Sequence, residues 1–197
     1  MRRVGIYGGT FNPPHKGHMA AAKAFMKKAQ LDDLIIMPAY LPPHKEISVS
    51  VDCVHRLEMC RLAFADISNA RVSDLEISRG GKSYTYLTLQ ELTENGVELY
   101  FLCGTDMILT MDSWKNPEII FNLAKICYIR RETDESTGIQ IDNKCKEYTE
   151  RFGATVIPVD ADVIEISSSE IRDNAELRSR YLADSVVEYI DRVGLYR

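Results

Sequence analysis

Two histidines three residues apart, His15 and His18, sit in the string GGTFNPPHKGH, which runs from Gly8 to His18 between a strand-like segment and a helix-like one. At a helix start they share one face of the first turn. Free backbone N–H groups and the helix dipole favour anions there, and two imidazoles add directed donors to phosphate oxygens. Pro13 and Pro14 stiffen the approach, and Gly17 keeps the space between the rings open. For a bare HxxH pair, a helix start with incidental histidines is the stronger reading. Zinc is poorly served, because it takes three or four clustered ligands and only His44 is a further candidate. The full string, with Gly8, Gly9, Thr10 and Phe11 ahead of the histidines, points instead to a bound phosphate chain.

A second anion site is suggested far along the chain, in ISSSEIR. Ser167 and Glu170 form an S-x-x-E capping box that fixes a helix start. The box alone is ordinary structure. Ser168, Ser169 and Arg172 on or beside that first turn open the functional reading, since hydroxyls and a guanidinium suit outer phosphates. One string misleads: Gly80-Gly81-Lys82-Ser83 looks like the end of a P-loop, but the glycine needed five positions before Gly81 is Glu76.

These motifs need elements to hold them. Apolar runs at Arg2–Tyr7, Asp33–Met37, Val97–Cys103, Lys125–Ile129 and Thr155–Val159 read as strands, and Ala70–Ile77 is strand-like as well. Helices are expected over Lys16–Gln30, over Val51–Asp66 with Ser50 as N-cap, and over Thr85–Glu94. Another opens at Asn116-Pro117-Glu118, where proline suits the first helical position, and a last one lies near Ser185–Val193. The polar stretch Glu132–Asn143 reads as a mobile loop before a further helix. Strands alternating with helices imply a mostly parallel, doubly wound sheet covered on both faces, in a single α/β domain spanning 1–197. IYGGTF and FLCGTD both end an apolar strand in glycine. With strand order 3-2-1-4-5 these would be the central pair at the switch point, where ligands bind.

The whole-chain numbers narrow the class. With 197 residues, 45% hydrophobic and 27% charged, the chain has an ordinary soluble balance. A net charge of -5 and a pI near 5.4 argue against a protein that coats nucleic acid or a membrane surface. No run approaches a bilayer span, and the N-terminal apolar run is too short for a signal peptide, so the cytoplasm is the expected compartment. Five cysteines with no CxxC pair fit reduced thiols.

Together GGTFNPPHKGH, PAYLPPHK, SYT, FLCGTDMI with Trp114, and ISSSEIR make the chain resemble the bacterial nicotinate-nucleotide adenylyltransferases of the HxGH nucleotidyltransferase superfamily. The resemblance implies a Rossmann-like fold and a Mg²⁺-dependent transfer of the adenylyl group of ATP to nicotinate mononucleotide, giving deamido-NAD and pyrophosphate. It further implies that Gly8, Gly9, Thr10, Phe11, His15 and His18 hold ATP, that Ser168, Ser169 and Arg172 take its outer phosphates, and that Gly104 and Asp106 meet the nucleotides, Asp106 on a ribose. His15, His18 and Arg172 would be the catalytic set, with the metal carried on the phosphates. Lys45, Thr85, Asp106 and Trp114 would bind the mononucleotide, Trp114 by stacking on the pyridine. Two positions depart from the family: Leu87 stands where relatives carry aspartate after SYT, and Ser169 replaces a threonine while keeping the hydroxyl. Other readings are an adenylyltransferase for nicotinamide mononucleotide or phosphopantetheine, and a non-catalytic nucleotide sensor. Homo-oligomerisation is left open.

Overall fold

The computed structural model describes residues 1–43, 51–130, 135–161, 164 and 166–197. Six strands form one sheet: β1 (Arg2–Gly9), β2 (Asp33–Pro38), β3 (Ala70–Val72), β4 (Val97–Cys103), β5 (Ala124–Arg130) and β6 (Val156–Asp160). Their order is β3-β2-β1-β4-β5-β6, and every neighbouring pair is parallel. Ile6 of β1 lies opposite Ile35 of β2 and Phe101 of β4. The chain leaves β1 toward β2 and leaves β4 toward β5, so the crevice between these central strands is the topological switch point. The expected order therefore holds, with β6 added at the edge.

Near-continuous apolar strands are what a sheet covered on both faces requires. Along β4 the residues alternate between two cores: Tyr100 and Leu102 face one, Leu99, Phe101 and Cys103 the other. The first core is closed by α1 (Lys16–Ala29), α2 (Cys53–Ala63), α8 (Ser168–Asp173) and α10 (Asp184–Val193), through residues such as Phe25, Met59, Ile171 and Ile190. The second is closed by α4 (Thr85–Leu92), α6 (Pro117–Leu123) and α7 (Glu135–Phe152), through Leu89, Phe121 and Tyr148. Short helices α3 (Leu75–Arg79), α5 (Thr105–Ile108) and α9 (Ala175–Tyr181), with a 3-10 turn at Met111–Ser113, complete the described chain.

Several element boundaries differ from the sequence reading. The strand expected over Ala70–Ile77 stops at Val72, and Leu75–Arg79 is helical. Ser73 makes the last bond to β2, from its N–H to Ile36 O, and its hydroxyl accepts from the Leu75 N–H, so the backbone turns locally instead of extending the ladder. The loop expected over Glu132–Asn143 is helix from Glu135 onward. Ile141 and Tyr148 bury against α5 and α6, and the Tyr148 hydroxyl donates to Ile108 O at 2.7 Å, which outweighs the polar first turn. α2 is capped by Asp52, whose carboxylate accepts from the Val54 N–H, while the expected cap Ser50 lies outside the described residues. The five cysteines are free thiols; Cys60, Cys103 and Cys127 are buried, Cys53 and Cys145 half-buried. Among the described residues no helix is long and apolar enough to cross a membrane.

Candidate active site

The carboxyl ends of β1 and β4 open into a cleft of about 630 Å³. Gly8, Gly9, Thr10, Phe11, His15, His18, Thr85, Gly104, Asp106, Trp114, Ser168, Ser169 and Arg172 all line it. Of the residues expected at the site only Lys45 is missing, because it lies outside the described residues, as does His44.

At one end the loop after β1 is folded tightly under α1. Phe11 takes a positive φ of 49° and is buried, its ring edge-on to His18 at 5.1 Å, Tyr7 at 5.4 Å and Phe64 at 5.9 Å. His15 caps α1, and its backbone N–H donates to His18 Nδ1 at 3.1 Å. Nδ1 is thus an acceptor, which leaves the proton of a neutral His18 ring on Nε2, a donor for an oxyanion. The two rings lie 3.7 Å apart between centroids. Gly17 favours this arrangement: a Cβ there would sit 3.0 Å from His15 Nδ1, so the His15 ring would have to give by a few tenths of an ångström.

α8 brings the distant motif to the same loop. The capping box forms as expected, with the Ser167 hydroxyl accepting from the Glu170 N–H at 3.2 Å and the Glu170 carboxylate accepting from the Ser167 N–H at 2.8 Å. Hydrogen bonds from Ser167, the side chain's foremost, hold the Glu170 carboxyl below its ordinary range. The Ser168 hydroxyl donates to Pro13 O at 2.9 Å, and Arg172 donates to Asn12 O at 2.8 Å and to the Ser169 hydroxyl at 2.9 Å. The Tyr196 hydroxyl donates to the Asn12 side-chain oxygen.

Sequence reasoning missed a support beneath this loop. Arg56 of α2 is fully buried and donates to Thr10 O at 2.7 Å and Tyr40 O at 3.2 Å, tying the exits of β1 and β2 together. Burial pulls its pKa below the ordinary guanidinium value. Nothing in a helix sequence tells a buried arginine from a solvated one.

The other end of the cleft belongs to the opposite core. Trp114 is only 9% exposed and stands edge-on to Phe101 at 6.3 Å, so it is at once a core residue and a cleft wall. Thr85 opens α4 behind Tyr84. Beneath them Glu76 is buried and accepts from the Thr88 hydroxyl at 2.6 Å, while the Ser83 hydroxyl accepts from the Tyr40 N–H at 2.9 Å. Burial holds the Glu76 carboxyl above the usual carboxylate range. Leu87, the departure from the family, is half-buried in α4 and does not line the cleft. Between the two ends, Gly104 has no atom within 4 Å of where a Cβ would stand, and Asp106 is exposed one residue into α5.

The fold is Rossmann-like, with imidazoles, hydroxyls and a guanidinium at one end of the cleft over the switch point and an aromatic wall at the other. The chain belongs to the cytidylyltransferase-like family, whose pattern matches residues 6–174. It is 35% identical over 201 residues to a protein of Clostridium botulinum named "Probable nicotinate-nucleotide adenylyltransferase", covering 100% of this chain and 99% of that one. A protein of the same name from Geotalea daltonii is 37% identical over 211 residues, covering 98% of each. Among solved structures, the nicotinic acid mononucleotide adenylyltransferase of Plasmodium falciparum complexed with NaAD superposes with a TM-score of 0.76 at 20% identity, covering 100% of this chain and 98% of that one. The resemblance drawn from the motifs thus extends over the whole length.

Proposed function

We infer that this chain is an enzyme of NAD biosynthesis that joins ATP and nicotinate mononucleotide into deamido-NAD and releases pyrophosphate. Residues 1–197 would act as one nucleotidyltransferase domain in the cytoplasm. The observation that carries the reading is the convergence of His15 and His18 with Ser168, Ser169 and Arg172 on one cleft whose far wall is Trp114.

The chemistry needs no protein nucleophile. An oxygen of the mononucleotide phosphate attacks the ATP α-phosphorus, the bond to the bridging oxygen breaks, and pyrophosphate leaves with the electron pair. The acceptor phosphate is already ionised, so no base has to remove a proton. The protein's work is to align two mutually repelling anions and offset charge that builds on the α-phosphate and leaving group. His18 Nε2–H and His15 would meet the phosphates between the reactants, and Arg172 with the α8 hydroxyls the outer ones. Gly8, Gly9, Thr10, Phe11 and Gly104 would leave room for the nucleotide backbone, Asp106 would hold a ribose, and Thr85, Trp114 and Lys45 the mononucleotide.

Magnesium fits this donor set as a passenger of ATP. The phosphate end offers imidazoles, hydroxyls and a guanidinium, which bind phosphate oxygens, whereas magnesium takes oxygen ligands and water. Phosphate oxygens would therefore hold it, and it would supply further neutralisation of the triphosphate.

Pyrophosphate release from ATP measured with nicotinate mononucleotide, nicotinamide mononucleotide and phosphopantetheine tests the reading. Turnover is expected with the first. ATP binding without release with any acceptor would make the protein a sensor.

A further inference from the structure

One cation of the cleft has no part in the scheme above. Lys115 follows Trp114, lines the cleft, and places its ammonium 4.8 Å from the centre of the Tyr84 ring. Among the described residues no carboxylate oxygen lies within salt-bridge distance of it. The Tyr84 face keeps an exposed lysine at the cleft instead of out in solvent. Its position in the fold sets it apart from the phosphate donors. The helices that carry His15, His18 and Arg172 pack in the first core, through Ala21, Phe25 and Ile171, whereas Trp114, beside Lys115, packs in the second with Leu89 and Phe101. The ammonium thus sits beside Tyr84 on the part of the chain that packs with the second core, whereas the elements that carry His15, His18 and Arg172 pack with the first.

We propose that Lys115 is the specificity-determining residue that selects an acceptor carrying a carboxylate on its pyridine ring over one carrying a neutral amide. This rests on the reading that nicotinate mononucleotide is the acceptor. Nicotinate and nicotinamide mononucleotides share phosphate, ribose and a positively charged ring, and differ only in that ring substituent. A cation at the phosphate end would treat both alike. A cation at the ring end attracts the acid, and it repels the amide, whose pyridinium charge has no carboxylate beside it. Attraction and repulsion together give discrimination that contact alone would not.

The test uses the full chain as wild type, Lys115→Met and Lys115→Arg, with kcat/KM for pyrophosphate release measured for each acceptor and KM for ATP alongside. Lys115→Met keeps the length of the side chain and removes its charge. It is expected to lower kcat/KM for nicotinate mononucleotide on the order of tenfold or more. The nicotinamide value should hold or rise, and KM for ATP should stay put. Lys115→Arg should keep the preference. An equal fall for both acceptors overturns the proposal, because it would put Lys115 on the shared phosphate or in packing. So does a wild type indifferent to the two acceptors, an unchanged ratio in Lys115→Met, or a ratio that collapses in Lys115→Arg. A wild type that releases no pyrophosphate with either acceptor defeats the underlying reading instead.

Discussion

In the proposed reaction His18 is the residue on which the chemistry leans most, because the His15 backbone fixes which of its nitrogens can donate. Removing a donor of this kind typically costs ~10²–10³ in kcat. His18→Ala is expected to lose about that factor while circular dichroism and Tm show an intact fold; near-normal turnover would take His18 out of the mechanism. This residue was legible in the sequence because a helix turn, two prolines and a glycine bracket it at fixed spacing. Lys115 and Arg56 carry no such mark. A lysine after a tryptophan and an arginine inside a helix read as solvated by default. Only packing reveals that one lies over a tyrosine ring and the other beneath a loop.

Among the elements, those with one strong signal were read well and those with competing signals were not. Val97–Cys103 is strand from end to end because five of its seven residues are buried between two helical layers. ARVSDLEI alternates like a strand, yet Ser73 and its neighbours bond locally, so its second half coils into α3 and carries Glu76 into the cleft wall. That burial has a measurable signature. With its carboxyl held above the usual range, folded Glu76 keeps a proton that the unfolded chain has released. The stability this proton confers is complete below the unfolded value of about 4.3 and is lost as pH rises through the folded one. Glu76→Gln removes the titration and retains an oxygen for the Thr88 hydroxyl. The Tm of the variant relative to wild type should therefore climb between acidic and neutral pH. A gap that stays constant with pH would show that Glu76 ionises like an exposed carboxylate.

For the molecule as a whole, strand order decides what a glycine means. Gly5 and Gly104 are both glycines of the central strand pair, one inside β1 and one just past β4. A Cβ on Gly5 would come within 2.3 Å of Leu31 Cδ1 and 2.8 Å of Phe25 Cε1, so Gly5→Ala should cost about 1–3 kcal/mol of stability by overpacking. A Cβ on Gly104 meets nothing within 4 Å, and its φ of -83° suits any residue. Gly104→Ala should leave Tm where it is or slightly higher. It should lower kcat/KM roughly tenfold or more, since a methyl there would cost a nucleotide bound as proposed about 1–3 kcal/mol. Unchanged kcat/KM in Gly104→Ala would mean that no reactant passes that point. The sequence could place both glycines at strand ends or interiors, but only the packed structure separates the one that fits a neighbour from the one that keeps a path open.

The loop after β1, proposed above to hold phosphate, is tied down from far along the chain: Ser168 reaches back 155 positions to Pro13, and Arg172 reaches back 160 to Asn12. A ribosome that has made five of the six strands already carries most of a sheet, but the loop over the cleft still lacks both of its distant ties. On the proposed reading, nascent chains are therefore expected to leave the cellular ATP pool alone until translation has passed α8, so that binding competence arrives late and nearly all at once.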